Sequence, residues 1–264
     1  MQDLFSLKGR TALVTGGSRG SGKMIAAGFV AQGAKVYISA RKAQACIETA
    51  EELSADGAEC IALPQDISTV EGAKALAAAF SEREHKLDIL VNNAGAAWAA
   101  DFESFPESGW DKVMDLNVKS PFFLTQALYA PLKAAASEDQ PAKVINICSI
   151  DGIALNPLET YSYHASKSAL IYLTRRIAAR LVKDQILANA IAPGAFPSEM
   201  NRAARDHGDF VAQHIPSGRI GRTEDIAAAA IYLAARSGDY VVGTTVTVDG
   251  GVAFARLPGV SAAG

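Results

Sequence analysis

A doubly wound α/β fold, with a seven-stranded parallel sheet and helices on both faces, is predicted by three observations. Short β-branched runs alternate with longer segments of helical periodicity along the whole chain. A glycine-rich turn, TGGSRGSG (15–22), stands between the first such run and the first helical segment. No repeat, low-complexity tract or linker divides the 264 residues, so one domain spanning 1–264 is expected. Strands separated by helices imply parallel pairing, right-handed crossovers and cover on both faces.

The elements follow in order. TALVT (11–15) is the first strand, and helix 20–32 begins within the glycines that close it. KVYIS (35–39) leads to helix 42–56, and ECIAL (59–63) to helix 69–83, with Ser68 as the capping residue before TVEGAKALAAAF. DILVN (88–92) precedes two helical segments, 108–118 and 120–136, and KVINIC (143–148) precedes the long helix 161–183. ILANAIA (186–192) is followed by helix 223–236, capped by Thr223, and TVTVD (245–249) is the last strand. In such a sheet ligands bind beyond the carboxyl ends of the strands, near the point where strand order reverses.

Composition narrows the function classes. Hydrophobic residues make up 49% and charged residues 20%, as in a globular protein. A net charge of −3 advertises neither a nucleic-acid nor a membrane-surface partner. The longest apolar stretches fall short of the roughly 18 residues that span a bilayer, and the start MQDLFSLKGR lacks a signal-peptide pattern. Cys46, Cys60 and Cys148 form no CxxC pair, which fits a reducing cytosol, and the four histidines show no metal spacing. A soluble cytoplasmic protein without a metal is expected.

One group of motifs suits phosphate. Gly16, Gly20 and Gly22, with Gly17 in addition, let a turn be tight, let backbone approach a pyrophosphate, and let a helix pack close to the sheet. Free N–H groups and the positive end of the helix dipole then face the phosphates. A site preferring NAD places an acid about 20 residues on, at the ribose 2′-OH. The sequence there is YISARK, with no acid, and Arg41 is placed to pair with a 2′-phosphate alongside Arg19, so NADP(H) is the expected cofactor. Asp66, in LPQDIS, either accepts a hydrogen bond from an adenine amino group or serves as a turn residue. In NNAG (92–95), Asn92 and Asn93 offer donors and acceptors, and Gly95 lets the backbone run beneath a ligand.

A second group suits proton transfer. Tyr163 and Lys167 are four apart and share a helical face, and a lysine ammonium beside a phenol lowers its pKa from about 10. Such a tyrosine exchanges a proton with a carbonyl or alcohol oxygen. Tyr161 has Ala165 four residues on and no such partner. Ser149 ends the fifth strand, where its hydroxyl can hold a substrate carbonyl. No G-x-S-x-G elbow surrounds it, which argues against a serine hydrolase. Cys148, one residue earlier, points to the other face as an inert core thiol. Asn117 sits mid-helix, either bending the helix so that its backbone carbonyl holds a water, or as an ordinary polar residue.

Taken in order, TGGSRGSG, Asp66, NNAG, Asn117, Ser149, Tyr163-x-x-x-Lys167, PGAFPS (193–198) and VDGG (248–251) resemble the short-chain dehydrogenase/reductase family in its single-domain Rossmann form. The resemblance runs from about residue 7 to about 254. It implies Tyr163 as general acid/base, Lys167 as the residue that lowers its pKa and holds the nicotinamide ribose, Ser149 as the carbonyl orienter, and Asn117 as support for a water. It implies cofactor contacts through Gly16, Ser18, Arg19, Gly20, Ser21 and Gly22, and through Arg41, Asp66 and Ile67. Further contacts are implied at Asn93, Ala94 and Gly95, at Pro193, Gly194, Phe196 and Ser198, and at Tyr163 and Lys167 themselves. A substrate lid is implied over about 196–220.

Two departures from the family pattern stand out. Ser149 and Tyr163 are 14 apart, one more than the commonest spacing, so the loop between them carries an insertion. Ser21 replaces the usual aliphatic residue, and its hydroxyl is expected to bond either a cofactor phosphate or a nearby backbone group.

Within the family the chain looks most similar to NADPH-dependent 3-oxoacyl reductases of the rhamnolipid-pathway type. The expected reaction is hydride transfer between nicotinamide and a ketone or secondary alcohol, the substrate being a 3-oxoacyl thioester on coenzyme A or an acyl carrier. A sugar-acid or polyol dehydrogenase resembling gluconate 5-dehydrogenase is the second enzyme reading. A non-enzymatic NADP(H)-sensing regulator is a third, disfavoured because such proteins often lose the tyrosine or lysine. The family implies a homodimer or homotetramer, for which the apolar stripes of 120–136 and 161–183 and the run VTVDGGVAFA are suited.

Overall fold

Every predicted strand forms. In the computed structural model, which describes residues 3–255, they are β1 (Thr11–Thr15), β2 (Lys35–Ser39), β3 (Cys60–Ala62), β4 (Ile89–Asn92), β5 (Ala142–Ile147), β6 (Ile186–Pro193) and β7 (Thr245–Val248). They build one sheet in the order β3-β2-β1-β4-β5-β6-β7, and each neighbouring pair is parallel. Ala12 of β1 lies beside Val36 of β2 on one side and Ile89 of β4 on the other. Strand order therefore reverses between β1 and β4, and the segments leaving them diverge to opposite halves of the sheet.

The helices are α1 (Gly20–Ala31), α2 (Ala43–Leu53), α3 (Val70–Ser81), α4 (Glu107–Met114), α5 (Ser120–Ala127), α6 (Tyr129–Ala135), α7 (Tyr161–Leu181), α8 (Arg202–Asp206), α9 (Gly208–Ala212) and α10 (Thr223–Ala234). Alternation along each strand divides the core. Ala12, Val14, Ile89, Val91 and Ile145 face Ile25 and Phe29 of α1 and Ile226 and Leu233 of α10. Leu13, Leu90 and Val144 face Phe80 of α3, Leu124 of α5 and Ile177 of α7. Each fully buried Val, Leu, Ile or Phe among them contributes about 1.5–3 kcal/mol. At the amino ends of the strands, away from the site, buried Lys143 pairs with Asp239 at 2.7 Å and Arg10 with Asp88 at 3.2 Å.

Several boundaries differ from the sequence-based expectations for local reasons. The cap of α3 is Thr69 rather than Ser68, its hydroxyl accepting from the Gly72 N–H at 3.0 Å. Thr223 does not cap α10; Arg222 precedes the helix, and the Asp225 carboxylate reaches back to the Arg222 N–H at 2.8 Å. Helix 120–136 divides at Leu128, because Pro131 has no N–H for the carbonyl four residues earlier. Segment 42–56 stops at Leu53, where the Ser54 hydroxyl takes the Ala50 carbonyl at 2.8 Å. The tail RLPGVSAAG lies outside the described residues.

Candidate active site

The loops after β1 and β4 meet at the strand-order reversal. Gly16 and Gly20 adopt left-handed φ of 64° and 53°, which only glycine takes without strain. A Cβ on Gly22 would stand 2.3 Å from the Gly16 carbonyl oxygen and 2.4 Å from Asn93 Nδ2, so α1 packs directly on the turn that precedes it. Thr15 Oγ1 accepts from the N–H groups of Asn93 and Ala94, both at 3.0 Å, and Asn93 Nδ2 donates to the Thr15 carbonyl at 2.9 Å. The Asn93 side chain thus braces the glycine turn instead of facing outward. Asn92 is buried as well, donating to Thr125 and Asn146.

This cradle fits a pyrophosphate. Helix α1 starts without a side-chain cap and without an acid in its first turn, leaving its first N–H groups and positive dipole end to an anion. Arg19 and Arg41 are exposed at its edge and make no ion pair among the described residues. Ser21 is half-buried, and its hydroxyl has no hydrogen-bond partner among the described residues, so the expected backbone partner is not found. The Ser18 carbonyl is turned to α2, accepting from Thr49 Oγ1 at 3.1 Å. Asp66 is exposed and forms a turn by accepting from the Ser68 N–H at 2.9 Å, a bond that holds its carboxyl below the usual range; Ile67 is buried in the core.

The carboxyl end of β5 and the first turns of α7 form the second part. Lys167 is buried, donates from Nζ to the Ile147 carbonyl at 2.9 Å, and lies 5.5 Å from the centroid of the Tyr163 ring. Ser149 is buried beside them, and its hydroxyl favours the ionised form of Tyr163. The sequence places a lowered pKa on Tyr163; the structure gives the opposite. Burial pushes the phenol up to about 12, the field of Asp151 adds to the rise, and only the Ser149 hydroxyl opposes it. Burial lowers the pKa of Lys167 itself, while its ammonium donates to the Ile147 carbonyl. Cys148 points away into a small cluster with Leu170 and Ala190, its thiol pushed up to about 12 by burial.

Asn117 lies in a π-helical turn, Asp115–Lys119, that joins α4 to α5. Its side chain makes a closed set of bonds: Oδ1 accepts from the Ala96 N–H at 2.8 Å, while Nδ2 donates to the Ala96 carbonyl at 2.9 Å and Ser166 Oγ at 3.0 Å. Ser166, fully buried, donates in turn to the Tyr163 carbonyl at 2.8 Å. Gly95 closes the gap, since a Cβ there would lie 3.2 Å from Asn117 Oδ1 and 3.7 Å from Lys167 Nζ. Asn117 therefore ties the loop after β4 to the helix that carries Tyr163 and Lys167.

The segment after β6 completes the rim. Pro193 ends the strand, and Gly194 is pressed against Asp249, 2.8 Å from where its Cβ would lie. The Phe196 ring is buried against Gly221 within the core, so only backbone at this position faces a ligand. Ser198 borders the glycine turn, its Cβ 3.3 Å from a Cβ placed on Gly20. Beyond it, Met200, ahead of α8, and Phe210 of α9 are exposed. The longer loop after Ser149 is pinned by the Ala100 N–H on the Glu159 carbonyl at 3.2 Å and leaves Leu155 and Leu158 exposed. Tyr161 stays out of the site, packed on Phe102 and Phe105.

The structure thus brings Ser149, Tyr163, Lys167 and Asn117 together, and sets the glycine turn with Gly95 and Ser198 beside them. Sequence reasoning missed Thr15, Ser166 and Asp151. Ser166 precedes Lys167 directly and Asp151 follows Ser149 by two, so proximity to marked residues was the available signal. Among the described residues no cluster of metal-binding side chains exists.

A family model described as Enoyl-(Acyl carrier protein) reductase matches residues 16–253. The chain is 51% identical over 254 residues to the Pseudomonas aeruginosa rhamnolipids biosynthesis 3-oxoacyl-[acyl-carrier-protein] reductase, covering 95% of this chain and 99% of that protein. It superimposes on the Pseudomonas aeruginosa RhlG/NADP active-site complex with a TM-score of 0.93 at 49% identity, covering 96% of this chain and 100% of that one. A gluconate 5-dehydrogenase from Burkholderia cenocepacia, solved with NADP and tartrate, matches with a TM-score of 0.87 at 34% identity, covering 95% and 97%.

Proposed function

The chain belongs to the short-chain dehydrogenase/reductase family, and from that premise we propose that it is an NADPH-dependent reductase of 3-oxoacyl thioesters. The observation that carries this reading is the convergence of Tyr163, Ser149 and Lys167 beside an uncapped, glycine-rich helix start. The identity of 51% to a 3-oxoacyl reductase, against 34% to a gluconate 5-dehydrogenase, supports this substrate over a sugar acid.

The glycine turn and the start of α1 hold the pyrophosphate, and Arg19 and Arg41 take the 2′-phosphate, with no acid after β2 to prefer NADH. Bound NADPH supplies the hydride. Ser149 donates a hydrogen bond to the substrate carbonyl oxygen, polarising the bond and holding the carbon in place. Tyr163 donates its phenolic proton to that oxygen as the carbon is reduced, giving the 3-hydroxy product. Lys167, held by the Ile147 carbonyl, stabilises the phenolate left behind. Asn117 fixes the spacing between the loop over Lys167 and the helix that carries Tyr163.

The same reading takes the chain as one domain with a lid over about 196–220, whose exposed Met200 and Phe210 suit an acyl chain. The thioester is carried by coenzyme A or an acyl carrier. Assembly as a dimer or tetramer is supported by the exposed Phe122 of α5 and Tyr172 of α7, and a cytoplasmic location by three buried, unpaired cysteines. No helix among the described residues is long and apolar enough to cross a membrane.

The test is Tyr163→Phe. NADPH binding, followed by its fluorescence, should persist while reduction of a 3-oxoacyl thioester falls by about a hundredfold or more, the usual share of a general acid. Full turnover in that variant would overturn the mechanism.

A further inference from the structure

A row of buried polar side chains crosses the core next to the site, and the proposed chemistry uses none of them. Asn92 and Asn146 stand opposite each other on β4 and β5. They share the sheet face of Leu90 and Val144, which looks toward α5 and α7. Asn92 Nδ2 donates to Thr125 Oγ1 of α5 at 3.1 Å and to Asn146 Oδ1 at 2.9 Å. Asn146 Nδ2 donates to Thr174 Oγ1 of α7 at 2.9 Å, and Thr174 donates in turn to the Leu170 carbonyl at 2.7 Å. Asn146 and Thr174 are fully buried. Such a row adds little to stability, because an apolar pair of matching shape would fill the same space at no loss. It even leaves Asn92 Oδ1 buried without a partner among the described residues, which costs free energy.

What the row fixes is position. Side-chain bonds tie α7 to β5 at two points: Lys167 Nζ to the Ile147 carbonyl, and Asn146 Nδ2 to Thr174 Oγ1, each at 2.9 Å. The two anchors on β5 are neighbours, Asn146 and Ile147. The two on α7 lie on one helical face two turns apart, about 10 Å along the axis. One tie leaves a helix free to pivot or slide about it; two ties hold both its tilt and its register. We propose that Asn146 and Thr174 are positioning residues, whose bond sets the register of α7 on β5 and so places Tyr163 and Lys167 against the substrate carbonyl. The proposal rests on the roles given to those two residues above. Thr174 stands about three turns from Tyr163, yet a misplacement near 1 Å at the reacting atoms costs about a hundredfold in rate.

Two substitutions separate the bond from the packing. Thr174→Val keeps the shape and loses the hydroxyl; Thr174→Ser keeps the hydroxyl and loses a methyl. Both should melt about 2–8 °C below the wild type, so stability alone does not tell them apart. Thr174→Val should lose at least about tenfold in kcat for a 3-oxoacyl thioester. Its Kd for NADPH, read by fluorescence, should change by less than about threefold. Thr174→Ser should keep kcat within about threefold of the wild type. Asn146→Leu combined with Thr174→Val makes both ends apolar, leaves Asn92 its bond to Thr125, and should fold even where the single valine variant does not. Its kcat should be as low as that of Thr174→Val. Wild-type kcat in either valine variant overturns the proposal, as does a serine variant slowed as much as the valine one. Crystal structures of the wild type and the double variant read the same effect without turnover. Tyr163 and Lys167 should shift against β5 by about 0.5 Å or more, and unchanged positions overturn the proposal. A wild type that reduces no 3-oxoacyl thioester overturns the reductase reading instead, and the two structures still decide whether the bond places α7.

Discussion

Replacing Asn117 with alanine tests whether the link between the loop after β4 and α7 has the weight the structure gives it. The substitution removes three bonds at once: the acceptor for the Ala96 N–H, and the donors to the Ala96 carbonyl and Ser166 Oγ. Ser166 is fully buried but keeps its bond to the Tyr163 carbonyl, so it loses a donor without becoming an orphan. Ala96 is only half-buried, and water can take up part of its loss. Net loss of ordinary hydrogen bonds, with partial desolvation of what remains, comes to about 2–4 kcal/mol. At about 2–4 °C per kcal/mol for a chain of this size, the melting temperature should drop by roughly 5–15 °C. Activity should suffer more than stability. Gly95, which packs against Asn117 and Lys167, gains room to move, and a misplacement near 1 Å costs about a hundredfold in rate. Asn117→Asp is the control: it keeps the acceptor for Ala96 N–H but sets a buried carboxylate against the Ala96 carbonyl, and should melt no higher than the alanine variant. Calorimetry and NADPH-oxidation kinetics read the two effects separately. An alanine variant that melts within about 2 °C of the wild type and keeps kcat/KM would refute the reasoning.

Two further outcomes follow from other parts of the molecule. Arg41→Ala should weaken NADPH binding by about ten- to a hundredfold, the worth of a charge-assisted hydrogen bond, and leave NADH binding unchanged; equal losses for both cofactors would remove Arg41 from 2′-phosphate recognition. Burial pushes the Cys148 thiol up to about 12, so its contribution to stability is full below the ordinary thiol pKa and is lost as pH rises toward 12. Between pH 9 and 11 Cys148→Ala should flatten the decline of unfolding free energy by about 1.4 kcal/mol per pH unit, measured by urea denaturation; a slope equal to the wild type's would show that the thiol does not titrate there.

The sheet was legible because apolar runs and helical periods are local properties of the chain, and seven runs became seven strands in one parallel sheet. Capping was harder. Ser68 and Thr69 are both competent caps, and the choice falls to Thr69 because Gly72, three residues on, is pressed so close to Asp66 that no side chain fits there. The π-helical turn at Asn117 depends on a bond to Ala96, 21 residues away in sequence, which no local pattern contains. Asn93 shows the same limit: its amide donates to the Thr15 and Gly16 carbonyls, far away in sequence, which no local pattern contains. Tyr163 and Lys167 were found by helical spacing alone, but the phenol's protonation is set by what buries it, which spacing does not carry.

That protonation bears on the role of Tyr163 in the proposed reaction. A phenol whose pKa is about 12 holds its proton throughout the neutral range, as a donor to a carbonyl oxygen must. The same phenol is a poor acceptor for the proton of an alcohol, since the phenolate needed for oxidation is scarce until the pH is far above neutral. The protein's own residues therefore hold Tyr163 in its protonated form. Asp151 pushes the same way, because its charge discourages the phenolate and so keeps Tyr163 in its donor form.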